Sequence, residues 1–229
     1  MKPVYILLVL LLTYNLSDAQ IYEIGVFGGG SNFVGDVGAT TFIAPNALSF
    51  GGILKWNRST RHSLRASFIY SKLAADDTAS DDPRRKLRGY NFNSSLFEVS
   101  AGMEFTFFEF DLHTGTPQAT PYIYTGISMA NFPNFYYSGG RLVSEKTRSN
   151  AYGIPIALGF KVSVAPHIVL GFEIAAHYTF SDELDGSVPD TENLRERFRF
   201  GNFNNNDWYV FSGFTLTYTF GRKPCFCNY

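Results

Sequence analysis

Residues 208–220 read Trp208-Tyr209-Val210-Phe211-Ser212-Gly213-Phe214-Thr215-Leu216-Thr217-Tyr218-Thr219-Phe220. Trp208, Val210, Phe214, Leu216, Tyr218 and Phe220 alternate with Tyr209, Phe211, Gly213, Thr215, Thr217 and Thr219, and Ser212 is the one gap on the first face. Side chains of a strand point alternately to its two faces, so this is a long strand with one apolar face and one smaller, mostly more polar face. A strand that ends on aromatics and keeps apolar residues on a single face suits a membrane barrel.

Seven further segments follow the same rule, at about residues 22–30, 48–57, 62–72, 96–110, 120–131, 151–164 and 167–180, with the last strand over 207–221. Each is close to the ~9–11 residues that cross a bilayer at a tilt, or somewhat longer. In the fourth, Phe97, Val99, Ala101, Met103, Phe105 and Phe107 oppose Glu98, Ser100, Gly102, Glu104 and Thr106. The fifth alternates poorly, which leaves its register open. No helix of useful length is expected.

Connections after strands 2, 4 and 6 are short, at 58–61, 111–119 and 165–166. Those after strands 1, 3, 5 and 7 are long, at 31–47, 73–95, 132–150 and 181–206. A soluble sandwich has no reason to sort loops by parity. The expected fold is therefore all-β, an eight-stranded antiparallel up-and-down outer-membrane β-barrel with short periplasmic turns, long external loops and both termini periplasmic. An even strand number lets the first strand pair with the last, leaving no open edge in hydrocarbon. Tyr22, Trp56, Tyr122 and Tyr218 are expected near the periplasmic interface. Tyr70, Phe97, Tyr152, Tyr178 and Trp208 are expected near the external one.

Composition agrees with this reading. Aromatic residues make up 17% of the chain, and the net charge of −1 offers no electrostatic case for nucleic acid. At the N-terminus, Lys2 precedes an apolar run over 4–12, and Ser17-Asp18-Ala19 is a small-x-small cleavage site. That run is about half of the ~20 residues a spanning helix needs, so residues 1–19 read as a signal peptide. The barrel then covers 20–221 and a periplasmic tail 222–229.

Inward positions collect Glu23, Lys55, Arg65, Glu98, Glu104, Lys161 and Glu173. An eight-stranded barrel has room only for side chains, so these are expected to plug the lumen as a polar network rather than to line a pore. No catalytic residue is assigned. His62, His113 and His167 fall at turns or strand starts. His177, near the external rim with Ser181 and Glu183 following, points inward with Glu173, which favours a lumenal hydrogen bond over catalysis. Asp76, Asp77, Asp81 and Asp82 face Arg84, Arg85, Lys86 and Arg88 in one loop without the spacing of a calcium loop, so a solvated loop with attracting halves is expected. Asp182, Glu183 and Asp185 mark the last long loop, and Asn204-Asn205-Asn206-Asp207 reads as turn chemistry into strand 8. No metal, cofactor or small-molecule substrate is expected.

Both cysteines, Cys225 and Cys227, lie in the tail. Extended residues two apart have α-carbons about 6.6 Å apart, beyond the usual ~5.5–6 Å of a disulfide. In an oxidising periplasm an intermolecular disulfide to a partner is favoured, with unpaired or internally bonded thiols as the alternatives.

The segments Glu23-Ile24-Gly25-Val26-Phe27-Gly28-Gly29-Gly30-Ser31-Asn32-Phe33-Val34-Gly35-Asp36, Leu54-Lys55-Trp56-Asn57-Arg58 and Arg88-Gly89-Tyr90-Asn91-Phe92, the run 98–110, and Asn206-Asp207-Trp208-Tyr209-Val210-Phe211 through Cys227 together resemble the PorG-type outer-membrane proteins of Bacteroidetes. The resemblance implies a non-enzymatic component of the type IX secretion system, linked to gliding motility. Its expected partners are the outer-membrane bilayer and a periplasmic ring lipoprotein. An adhesin or binding barrel acting through external loops is the alternative, and a lipid-modifying barrel enzyme a third.

Overall fold

The computed structural model describes residues 21–112, 114, 116–202 and 205–221. Eight strands follow in order: β1 (Ile21–Val34), β2 (Ala47–Asn57), β3 (His62–Asp76), β4 (Asn91–Thr106), β5 (Ala119–Ser138), β6 (Arg141–Ala165), β7 (Ile168–Thr179) and β8 (Trp208–Gly221). Each pairs antiparallel with its chain neighbour, and β1 pairs with β8 from Ile21↔Gly221 to Val34↔Trp208, closing the barrel. Closure satisfies the edge hydrogen bonds that an open sheet would leave bare. The all-β up-and-down barrel expected from the pattern is therefore the fold.

Alternation runs opposite to that of a soluble protein. In β8, Phe214, Leu216, Tyr218 and Phe220 are exposed, whereas Thr215, Thr217 and Thr219 are buried. In β3, Leu64, Phe68 and Tyr70 face out while Ser63, Arg65, Ser67 and Ser71 face in. Apolar-out and polar-in is the pattern of a barrel whose solvent is lipid.

Four local features differ from the sequence expectation. First, residues 132–150 are not an irregular loop, because β5 and β6 run on beyond their neighbours as a hairpin joined at Gly139-Gly140. Their φ values of 58° and 77° are left-handed at both central positions, which a type I′ turn requires and glycine adopts without a Cβ clash. Register shifts at Pro133/Phe135, where proline supplies no ladder donor.

Second, β4 begins earlier and stops at Thr106, leaving 107–118 as the connection to β5. Third, among the described residues the long loops carry two short α-helices, of six and seven residues, which a reading for long helices leaves out. Helix α1 (Pro83–Arg88) starts at Asp82, whose carboxylate accepts from the Arg84 N–H, and stops at Gly89 with φ 68°. The Asp-Pro start and Gly stop are ordinary helix punctuation. Helix α2 (Glu192–Phe198) follows Thr191, which makes no side-chain cap of its own. Glu145 on the β5–β6 hairpin fixes the segment just before the helix, accepting from the Asp190 and Thr191 N–H groups at 3.0 and 3.1 Å. Fourth, His167 has φ 72° and belongs to the turn, so β7 begins at Ile168.

Candidate functional site

Three regions are built for a purpose: the outer belt, the lumen, and the cap at the end carrying the long loops.

The belt is the exposed face of the strands. Phe50, Phe68, Phe97, Phe160, Phe172 and Phe214 are among its exposed apolar side chains. A continuous ring of this kind far exceeds the apolar patch a soluble monomer shows, and hydrocarbon is its natural solvent. Aromatic clusters mark both borders. At the short-turn end, Tyr22 stacks on Trp56 and Phe220, with centroids 6.5 and 5.9 Å away. At the long-loop end, Trp208 meets Tyr178 at 4.9 Å and Phe42 at 5.6 Å. Tyr122, expected in the first cluster, is 1% exposed and points into the lumen. The even positions of β5 face inward, a register its weak alternation concealed.

Inside the barrel, Glu104 holds two lysines, with Lys55 Nζ and Lys161 Nζ each 2.7 Å from one of its carboxylate oxygens. Arg65 makes a two-pronged bond to Glu173, Nη1–Oε2 2.6 Å and Nη2–Oε1 2.7 Å. The Tyr122 hydroxyl donates to Glu173 at 2.6 Å. Glu23 accepts from Asn57 Nδ2 at 2.9 Å and from the Thr217 hydroxyl at 2.6 Å. Every one of these charges is buried, and a buried charge is tolerable only when it is paired and hydrogen-bonded.

Toward the long-loop end the lumen is filled by Phe27, Ile53, Ile69 and Phe211, all buried, while the Tyr124 ring lies in the charged layer under Arg65 at 4.7 Å. Glu98 lies there with the Tyr209 hydroxyl donating to its Oε2, and His177 Nδ1 2.7 Å from the same oxygen. His177 stacks on Tyr209 at 4.8 Å and meets Phe211 edge-on at 4.9 Å. The carboxylate beside His177 is thus Glu98 and not Glu173, which Arg65 and Tyr122 already occupy, and neither ring nitrogen of His177 meets hydrogen-bond geometry there. His177 is sealed among aromatics at 2% exposure. Ser181 and Glu183 do not join it. The Ser181 hydroxyl accepts from the Glu183 N–H, and Glu183 pairs with Arg195 at 3.2 Å.

The cap is tied by aspartates that accept backbone amides. Asp185 takes the N–H groups of Asp36 and Val37 at 2.8 and 3.1 Å on one oxygen, and that of Ser187 at 2.9 Å on the other. Asp207 accepts from Leu184 N–H at 2.9 Å, and Asp36 from Asn202 N–H at 2.9 Å. Asp77 binds the Gly38 and Tyr90 N–H groups, and Arg88 Nε lies 2.7 Å from it. The two halves of this loop attract each other as expected, through Arg88–Asp77 and Arg84–Asp82, and Asp76, Asp81, Arg84 and Lys86 are exposed; Asp77 alone is fully buried, in a packed joint between the first two long loops.

Burial, reinforced by the neighbouring carboxylates, pushes Asp207 well above the usual range. Asp185 is raised too, first by burial and then by the nearby Asp36 charge, against its amide bonds. Asp182 rises to about 8 through burial and the charges of Asp185, Asp36 and Glu183. Asp77 goes the other way, because Arg88 and the two amides outweigh its burial. Asp36 and Asp207 are cap residues with little local signature. Asp36, set between Gly35 and Gly38, was the available signal. Among the described residues, no group of three His, Cys, Asp or Glu side chains has the geometry to hold a metal ion.

His62 Nδ1 lies 3.2 Å from the Ser59 hydroxyl in the β2–β3 turn. His113, residues 1–19, Asn204 and the tail with Cys225 and Cys227 lie outside the described residues.

Residues 2–229 match a family model described as "Domain of unknown function (DUF6089)". No curated protein matches the sequence. Among solved structures, the chain is similar to the N-terminal β-barrel domain of Pseudomonas aeruginosa OprF, at 12% identity and TM-score 0.46, covering 87% of this chain and 97% of that one. It is similar to Neisserial surface protein A at 9% identity and TM-score 0.46, covering 88% and 97%. It is also similar to Ail, the attachment invasion locus protein of Yersinia pestis, at 12% identity and TM-score 0.44, covering 88% and 99%.

Proposed function

The chain belongs to the DUF6089 family, and we propose that it is a non-conducting, non-enzymatic outer-membrane barrel that anchors periplasmic secretion machinery of the type IX kind. The observation that carries the non-conducting part is the lumen. Glu104, Lys55, Lys161, Arg65 and Glu173 fill it at one level, and Phe27, Ile69 and Phe211 fill it at another. A barrel plugged in this way acts through its two ends. The resemblance of the strand segments to PorG-type proteins favours the short-turn end, facing the periplasm, as the end that meets a ring lipoprotein. In this reading Cys225 and Cys227 supply the attachment, through a disulfide or by contact.

Truncation after Gly221 is the test. Loss of secretion together with loss of partner co-purification supports the anchor. Survival of both defeats the tail's role, and migration of the full chain alone on non-reducing gels defeats the disulfide.

A second reading, a binding barrel acting through its long loops, is favoured by one observation. The loops form a packed cap, with Asp185 joining the β7–β8 loop to the β1–β2 loop and Arg88 joining the latter to α1. Replacing the cap loops by short turns separates the two. Under the anchor reading secretion survives the replacement, and under the binding reading the activity is lost.

A further inference from the structure

Beside the cap, a cleft of about 330 Å³ opens between the β1–β2 loop and the ends of β3 and β4 beyond the belt. Its size is at the lower end of the roughly 300–1,000 Å³ typical of small-ligand pockets. The ladder sets Asp76 beside Asn91 and Ala74 beside Asn93, on the outward face of the two strands. The opposite wall is the β1–β2 loop, which side-chain bonds hold in shape and tie to β3. Asn32 Nδ2 donates to the carbonyls of Thr41 and Phe42 at 3.1 and 3.0 Å, and Asn46 Nδ2 donates to the Ala74 carbonyl at 3.0 Å.

The lining leaves several polar groups uncommitted. Among the described residues, the side-chain amides of Asn91 and Asn93 have no hydrogen-bond partner, and both are exposed. Asp76 spends one oxygen on the Thr78 N–H and hydroxyl and keeps the other. Asn46 keeps its carbonyl oxygen. A carboxamide both donates and accepts, as a hydroxyl does, so a row of such groups suits a ligand rich in neutral hydroxyls. No lysine or arginine lines the cleft, and its one charge is Asp76, so an anion such as phosphate or sulfate has no counter-charge there. Ala39, Ala44, Ala74 and Ala79 give the lining its apolar part, against which the C–H face of a ring can lie.

We propose that this cleft binds a single neutral sugar ring. On the orientation argued under Proposed function, it faces the outer surface near the belt, where the sugar is either free or carried on a glycolipid of the outer leaflet. The site owes nothing to the anchoring role, so its test reads binding and not secretion.

The full barrel, purified in a detergent without a sugar headgroup, is titrated with glucose, galactose, mannose and N-acetylglucosamine while saturation transfer to the ligand is followed by NMR. Purified lipopolysaccharide is titrated in parallel. At least one hexose or the lipopolysaccharide is expected to bind. Affinity is expected to fall at least tenfold in Asn91→Ala/Asn93→Ala and in Ala74→Phe, which fills the cleft from its wall. Both variants change outward positions, and retained heat-modifiable gel migration verifies that they fold. Binding of a free hexose identifies the soluble source, and binding of lipopolysaccharide alone identifies the glycolipid. Absence of binding in both arms, or binding unchanged in both folded variants, overturns the proposal.

Discussion

Arg65 and Glu173 lie 108 residues apart in the chain, yet meet inside the barrel in a two-pronged bond of 2.6 and 2.7 Å. β3 and β7 are not neighbours in the sheet, so only closure of the barrel brings the pair together. Glu173→Leu leaves the Arg65 guanidinium buried without its main partner. A loss of about 3–5 kcal/mol in urea unfolding of the refolded barrel is expected, the magnitude found when one member of a buried pair is removed. The double variant Arg65→Met/Glu173→Leu is expected to regain most of that loss. A double variant no more stable than Glu173→Leu would show that the pair is not the source.

The filled lumen has an electrical consequence. Purified protein in planar bilayers is expected to give no steady, sizeable conductance, because the polar layer around Glu104 and the apolar layer around Phe211 close the axis. Stable single-channel steps that scale with salt would overturn the plug.

The cap is expected to loosen as pH rises. Asp182 titrates near 8 when folded, against an ordinary value of 3.8, so the folded cap holds that proton more tightly than the unfolded chain. Its contribution is fully present below about pH 4 and is lost as pH rises through about 8. Asp185 and Asp207 are shifted in the same direction. Hydrogen exchange over 180–202, corrected for the intrinsic pH dependence, is expected to be faster at pH 8.5 than at pH 6, with the difference reduced in Asp182→Asn. Equal protection at both pH values in the unaltered protein would refute this.

Gly38 is placed to test the joint between the loops. Its φ of 89° is left-handed, and an added Cβ would fall 2.7 Å from Ala75 Cβ. Gly38→Ala is expected to cost about 1–2 kcal/mol from backbone conformation alone, with the clash adding to it. The Gly38 N–H bond to Asp77 would weaken with it. Limited proteolysis should then cut the β1–β2 loop sooner while the strands stay protected. Unchanged loop cleavage would argue against the joint.

Much of this barrel was legible in the chain because alternation is a local property. Whether Phe214 or Thr215 faces lipid follows from a period of two, and loop parity follows from counting. The lumenal charges could be read as inward for the same reason. Partners could not. His177 and Glu173 share a strand and a face, but across the lumen His177 lies beside Glu98 of β4, and Arg65 of β3 takes Glu173. The inward side of Tyr122 is not legible in the chain because β5 carries Pro121 and Pro133 and mixes residue types on both faces. The hairpin over 132–150 was hidden because its strands leave the membrane and lose their apolar face, and only Gly139-Gly140 marked it.

By itself the sequence determined the strand pattern, the side of each strand that faces lipid and the even number that permits closure, since all three depend on residues close in the chain. Tertiary structure alone decided which buried charge meets which, how Asp36, Asp185 and Asp207 tie separate loops into one cap, and that a cleft remains beside Asn91 and Asn93. Those relations join segments many residues apart, and the geometry that joins them exists only once β1 has paired with β8.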